Sequence, residues 1–141
     1  KVSCLPITEE QQLHKILDNA RTIAVVGLSN CAERPSHYVA SFVHDCGYDI
    51  IPVNPFTTEF KGIVSVKAMD SIDVPIDIVM VFRRPEFAPD IARAAVSIGA
   101  GALWLPAGIV NDEAMQIAES GGFKAVQDIC AVVTYKELGL I

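Results

Sequence analysis

No basic tract runs through these 141 residues, and 11 lysines and arginines face 17 aspartates and glutamates. The formal net charge of −6 excludes a general electrostatic surface for nucleic acid or for an anionic membrane. An anionic small ligand stays possible, because a site needs only a few local cations and N–H groups. No apolar run approaches the roughly 18 residues of a membrane span. No secretory leader is visible, although the chain begins with Lys1 and so leaves targeting open. Cys4, Cys31, Cys46 and Cys130 match neither a zinc spacing nor a Cys-x-x-Cys pattern, so no metal site is expected. In a chain that is 51% hydrophobic, free buried thiols are the expected reading. They suit a reducing compartment, the cytoplasm, with an organellar matrix left open. There is no internal repeat and no low-complexity stretch. No Ser-His-Asp or Cys-His arrangement has supporting context, so no catalytic residue is assigned.

What the chain does have is a strand, a glycine turn and a helix start. Ile23 to Val26 is a short apolar run rich in β-branched residues, the pattern of a central parallel strand. Gly27 permits a sharp turn and lets a ligand approach bare peptide N–H groups. Pro35 fits the first position of the following helix, where its missing N–H costs nothing. The start of that helix, with Ser29 and Arg34 beside it, suits an anion such as a phosphate.

The rest of the chain alternates. Thr8-Glu9-Glu10-Gln11 is a capping-box pattern, and Leu13, Ile16 and Leu17 follow at helical spacing. After a lead-in over 1–7 this predicts an amphipathic helix over 8–19, with His14 a surface or packing residue. A helix is expected over about 36–46, with His37 near its start. A second strand, Tyr48 to Val53, contains Pro52 and ends in Asn54-Pro55. Residues 56–75 read as a connector with a short strand within 63–66 and a helical turn at 68–72. A third central strand, Ile78 to Phe82, ends in Arg83-Arg84-Pro85. A helix over 86–98, a strand at Ala102 to Leu105 carrying Trp104, an Asn111-capped helix over 112–120, a strand over 123–126 and a helix over 132–138 complete the chain.

This order predicts one α/β domain over 1–141, Rossmann-like and doubly wound. Its five parallel strands are expected in the order 3-2-1-4-5 with helices on both faces. Ligands of such sheets bind outside the carboxyl ends of the strands, where Gly27, Ser29, Arg34, Asn54, Arg83 and Arg84 are expected to gather. Trp104 is expected to pack in the core or, second, to wall the cleft. A dinucleotide-binding turn carries Gly-x-Gly-x-x-Gly, with an acid at the end of strand two. Here the turn is Gly27-Leu28-Ser29 and strand two ends in Val53-Asn54-Pro55, so NAD is disfavoured.

These segments together resemble the small stand-alone CoA-binding proteins of the YccU-like family, over about residues 8–140. That family shares its fold with the CoA-binding domain of the succinyl-CoA synthetase α subunit. The likeness rests on Ile23 to Ser29, Arg34-Pro35-Ser36, Ile51 to Pro55, Asp77 to Pro85, Ala102 to Leu105 and Gly108 to Asn111. It implies coenzyme A or an acyl-CoA as ligand. Gly27, Leu28 and Ser29 would meet the pyrophosphate, with Arg34 and Pro35 adjacent. Val53, Asn54 and Pro55 would shape the next wall. Phe82, Arg83 and Arg84 would border the nucleotide or pantetheine, with Trp104 nearby. Pro106 departs from the Gln expected after Trp-Leu, and Tyr135 stands where a His is common. Cys31 lies in the phosphate loop, and a mixed disulfide there would require the ligand's thiol to fold back.

Three functions follow as expectations. The first is a non-catalytic CoA-binding protein. The second is an NAD(P)-binding oxidoreductase or redox-sensing domain. The third is the CoA-binding component of an acyl-CoA ligase that needs a partner chain. The fold by itself licenses none of these activities. A homo-oligomer or a ligase partner is compatible with the sequence.

Overall fold

In a computed structural model, residues 9–29, 31–56 and 59–139 are described. The lead-in over 1–7 with Cys4, the capping residue Thr8, and Asn30 lie outside the described residues.

The strands are β1 (Thr22–Val26), β2 (Asp49–Val53), β3 (Glu59–Phe60), β4 (Ile63–Val64), β5 (Ile78–Val81), β6 (Ala102–Trp104) and β7 (Lys124–Val126). The helices are α1 (Glu9–Asn19), α2 (Pro35–Asp45), α3 (Ala88–Ser97), α4 (Asp112–Ser120) and α5 (Ala131–Glu137). Five strands form one parallel sheet in the order β2-β1-β5-β6-β7, and β3 and β4 form a small antiparallel pair.

The α/β Rossmann-like architecture agrees with the expectation, but the strand order does not. Counted along the chain, the five sheet strands run 2-1-3-4-5, the other common doubly wound order. The strand expected beyond β2 pairs with β1 instead, Ile23 opposite Ile78 through Val26 opposite Val81. Asp77 fixes that neighbour, its carboxylate accepting from the Arg21 and Thr22 N–H groups at 2.8 and 3.0 Å. Outside β2, among the described residues, there is a single parallel bridge, Val53 to Val66. Pro52 explains why β2 is an edge. Its carbonyl accepts outward from Val66 N–H, so the ring nitrogen, which has no hydrogen, faces the same open side.

Alternation along each strand divides the core in two. Ile23, Val25, Ile78, Met80 and Trp104 face α1, α2 and α5. Ala24, Val26, Val79, Val81 and Leu103 face α3 and α4, which meet the sheet with Ala88, Ala92, Ala95, Ala114 and Ala118. The helix expected over 86–98 opens instead as a 3-10 turn, Pro85–Phe87. Pro89 has no N–H to give the Pro85 carbonyl. That carbonyl accepts from Ala88 N–H and from Asn111 Nδ2 at 3.0 Å. Asn111 also caps α4, its Oδ1 accepting from Ala114 N–H at 2.8 Å.

At the amino end of the sheet, Tyr48 hydroxyl donates to the Leu17 carbonyl and ties α1 to the base of β2. Tyr135 packs edge-on against Tyr48, with ring centroids 6.2 Å apart. Burial pushes both phenols above their ordinary pKa. The folded state therefore keeps these protons at pH values where the unfolded chain has lost them. The stability they contribute is complete below about pH 10 and is lost as pH rises further. Resistance to urea is expected to hold up to about pH 10 and to fall between about pH 10 and about pH 12. Tyr48→Phe should start about 1 kcal/mol lower at neutral pH and fall less steeply. Parallel slopes in the two proteins would contradict this.

Candidate functional site

β1 turns to β2 on one side, whereas β5 enters on the other. The chain therefore reverses direction between β1 and β5, and the loops that follow them diverge. That divergence opens a cavity of about 630 Å³ at the carboxyl edge of the sheet.

Gly27 sits at the apex with φ +85°. Its N–H donates to the Val53 carbonyl at 2.8 Å, and Phe82 N–H donates to the Val26 carbonyl at 2.8 Å, so both ladders continue one residue past the strands. A Cβ on Gly27 would lie 2.5 Å from the Phe82 carbonyl oxygen and 2.9 Å from Arg83 Cδ. The missing side chain is thus what lets the stem of Arg83 lie across the turn.

The loop between Gly27 and α2 folds on itself. Ser29 N–H donates to Ser36 Oγ and Cys31 N–H to Ser29 Oγ, both at 3.0 Å. Pro35 is the first residue of α2, as its sequence position predicts. His37 and Tyr38 N–H groups both return to the Arg34 carbonyl. Among the described residues, no backbone acceptor is seen for the Ser36 N–H in the first turn of α2. Charge at the mouth therefore comes chiefly from side chains.

Arg34, Arg83 and Arg84 all line the cavity. Arg84 is paired with Glu86 at 3.9 Å at the surface, an interaction of little energetic weight. Among the described residues neither Arg34 nor Arg83 is in an ion pair. Arg83 stacks over Phe87, its guanidinium carbon 4.7 Å from the ring centroid. Two guanidinium groups without carboxylate partners thus face one hollow in an acidic chain.

Of the residues singled out in the sequence, Gly27, Ser29, Arg34, Pro35, Phe82, Arg83 and Arg84 line this cavity. Leu28 and Val53 are buried in the core. Asn54 braces the turn from behind, its Nδ2 donating to the Leu28 carbonyl at 3.1 Å and its Oδ1 accepting from Phe56 N–H at 2.9 Å. Pro55 is exposed beside it. Trp104 is fully buried, and its indole N–H donates to the Ile129 carbonyl at 2.8 Å. The sequence reading did not assign Val39, Pro106, Ala107, Ile109 or Cys130 to the cleft, and all five line it. Their signal is positional: Pro106 to Ile109 follow β6, and Cys130 follows β7, at the same edge of the sheet.

Among the described residues, no group of three or more His, Cys, Asp or Glu side chains is placed to hold a metal. No helix there is long and apolar enough to cross a membrane.

Gly27→Ala is expected to cost about 2 kcal/mol or more, from the left-handed backbone and the contact with the Phe82 carbonyl. A denaturant melt checks this. An unchanged midpoint would mean that the turn relaxes freely.

The sequence family described as the CoA binding domain matches residues 21–136. A protein of Bacillus subtilis (strain 168), described only as the uncharacterized protein YneT, is 41% identical over 124 residues. That match covers 88% of this chain and 92% of the relative. A solved structure from Thermus thermophilus is 33% identical, with a TM-score of 0.87, covering 93% of this chain and 99% of that one. A hypothetical protein from Pyrococcus horikoshii OT3 is 27% identical, with a TM-score of 0.88, covering 93% of this chain and 92% of that one. With the family matched across most of its length, from the start of β1 to the last turn of α5, the chain belongs to the CoA binding domain family.

Proposed function

We propose that this protein binds coenzyme A or an acyl-CoA as a non-catalytic binding module, in the cavity between the β1 and β5 loops. The observation that carries the reading is the convergence of Arg34 and Arg83, which have no carboxylate partner among the described residues, on one hollow at the switch point of the sheet. A guanidinium fork matches phosphate oxygens in a way that a surface lysine does not. Coenzyme A has three phosphates at one end and a long, weakly polar arm at the other. The hollow has the matching polarity, with guanidiniums toward β1 and β5, and Pro106, Ala107 and Ile109 toward β6.

Two features support coenzyme A over a nicotinamide dinucleotide. The turn has one glycine, Gly27, where the dinucleotide pattern needs three. At the end of β2, where an acid would hold ribose hydroxyls, stands Asn54, already occupied with Leu28 and Phe56.

Calorimetric titration of the ligand-free protein with CoA, acetyl-CoA and NAD in parallel tests the reading. Saturable binding of the first two and none of the third is the expected result. Binding of NAD alone would overturn it in favour of an oxidoreductase or redox-sensing domain. Co-purification of a second subunit would favour a ligase component. Arg34→Ala and Arg83→Ala are each expected to weaken CoA binding by about 1–3 kcal/mol with little change in thermal stability. An unchanged affinity in either variant would remove that residue from the site.

A further inference from the structure

A second hollow, of about 510 Å³, adjoins the cavity, and Cys130 lines both. The cavity reaches Cys130 from the side of Pro106, Ala107 and Ile109, its apolar end. From Cys130 the second hollow follows α5. Cys130, Val133, Thr134, Glu137 and Leu138 line it at i, i+3, i+4, i+7 and i+8, so they form one stripe along the helix. Leu13 of α1 and Ile129 complete it. The hollow is thus a groove between α1 and α5 that continues the cavity. Leu13, Glu137 and Leu138 lie outside the residues matched by the family, 21–136, so the groove is not part of what that match describes.

Three properties of the groove limit what can lie in it. It is apolar where α1 meets α5. Leu13 is buried, Ile129 and Leu138 are half-buried, and Val133 is 52% exposed, a large apolar side chain open to solvent. Its charged side chains are both acids. Asp128 and Glu137 stand along it, and no lysine or arginine lines it. Asp128 is held in place there, its Oδ1 accepting from Gly108 N–H at 2.8 Å. Arg34, Arg83 and Arg84 line the cavity, not the groove. The third property is length. From Cys130 to Leu138, one end of α5 to the other, is roughly 12 Å at about 1.5 Å of rise per residue, the reach of an extended chain of about ten carbons.

We infer that this groove takes the acyl chain of the ligand, and that the ligand class is a CoA thioester of an uncharged, apolar acyl group. The inference rests on the CoA reading above. A ligand with its phosphates at Arg34 and Arg83 and its arm laid toward β6 presents its sulfur at the apolar end of the cavity. Whatever that sulfur carries continues into the groove between α1 and α5. An apolar chain lying there covers Val133 and removes its own methylenes from water. A dicarboxylic acyl group would instead set its free carboxylate beside Asp128 and Glu137, with no guanidinium or ammonium lining the groove to receive it. The groove therefore selects by two means, apolar contact for one class of acyl group and like charge against the other. α1 becomes one wall of the binding surface through Leu13.

The test is calorimetric titration of the intact protein with CoA, decanoyl-CoA and succinyl-CoA, the decanoyl-CoA kept below its micellar concentration. Decanoyl-CoA is expected to bind on the order of tenfold or more tighter than CoA, because the groove shields several methylenes from water. Succinyl-CoA is expected to bind no tighter than CoA. Val133→Asp, at an exposed position, should bring the ratio of the decanoyl-CoA and CoA affinities close to one, and Val133→Leu should keep it. Equal affinities for CoA and decanoyl-CoA, a ratio that Val133→Asp leaves intact, or tightest binding of succinyl-CoA would overturn the inference. A ligand-free dimer in sedimentation that Val133→Asp dissociates would give the groove to a second copy of the chain and overturn it too. If CoA binds and the chain adds nothing, only the groove is wrong. If neither CoA nor decanoyl-CoA binds, the CoA reading falls with it.

Discussion

The close approach of β1 and β5 at Gly27 is the constraint on which the rest of the cleft depends. Asp77 aligns the two strands at their amino ends by accepting from Arg21 and Thr22. At the carboxyl ends Gly27 leaves no side chain between the turn and the Phe82 carbonyl. Arg83 can then lie across the turn and face the same space as Arg34, which comes from a different loop. A methyl group at Gly27 would push these loops apart. The site is thus a consequence of strand pairing before it is a matter of side-chain chemistry.

The opposite wall depends on a second anchor, Trp104. Its indole does not reach the ligand space; it is buried in the core and holds the Ile129 carbonyl. Together with Asp128 it sets the course of the chain from β7 to α5, and so the position of Cys130. One core residue therefore links packing of the sheet to the position of the cavity wall beyond β6.

Much of this was legible in the sequence because local signals coincide with tertiary ones. Gly27, Pro35 and the Arg83-Arg84-Pro85 run each mark a strand end or helix start, and an α/β sheet places such ends at one edge. Asn111 is found capping α4 as the sequence predicts. The strand order was not legible. Deciding whether Ile78 to Val81 lies beyond β2 or beside β1 depends on the path of the connector over 54–77, which has no periodicity. The clue was Pro52, which marks β2 as an edge. The roles of Leu28, Asn54 and Trp104 were obscured for a related reason. Adjacency to a motif does not say which way a side chain points, and these three face the core or the back of the turn. Cys130 was not placed in the cleft because the residues just before it, Asp128 and Ile129, are held by Leu105, Gly108 and Ile109, some 20 residues away in sequence.

A crystal structure of the protein grown with coenzyme A tests the central claim most directly. The account predicts phosphate oxygens within hydrogen-bond distance of the Arg34 and Arg83 guanidiniums, with the arm of the ligand running toward Pro106 and Ile109. Ligand density instead in the smaller hollow at the amino end of the sheet, beside Arg21, Tyr48 and Tyr135, would contradict it.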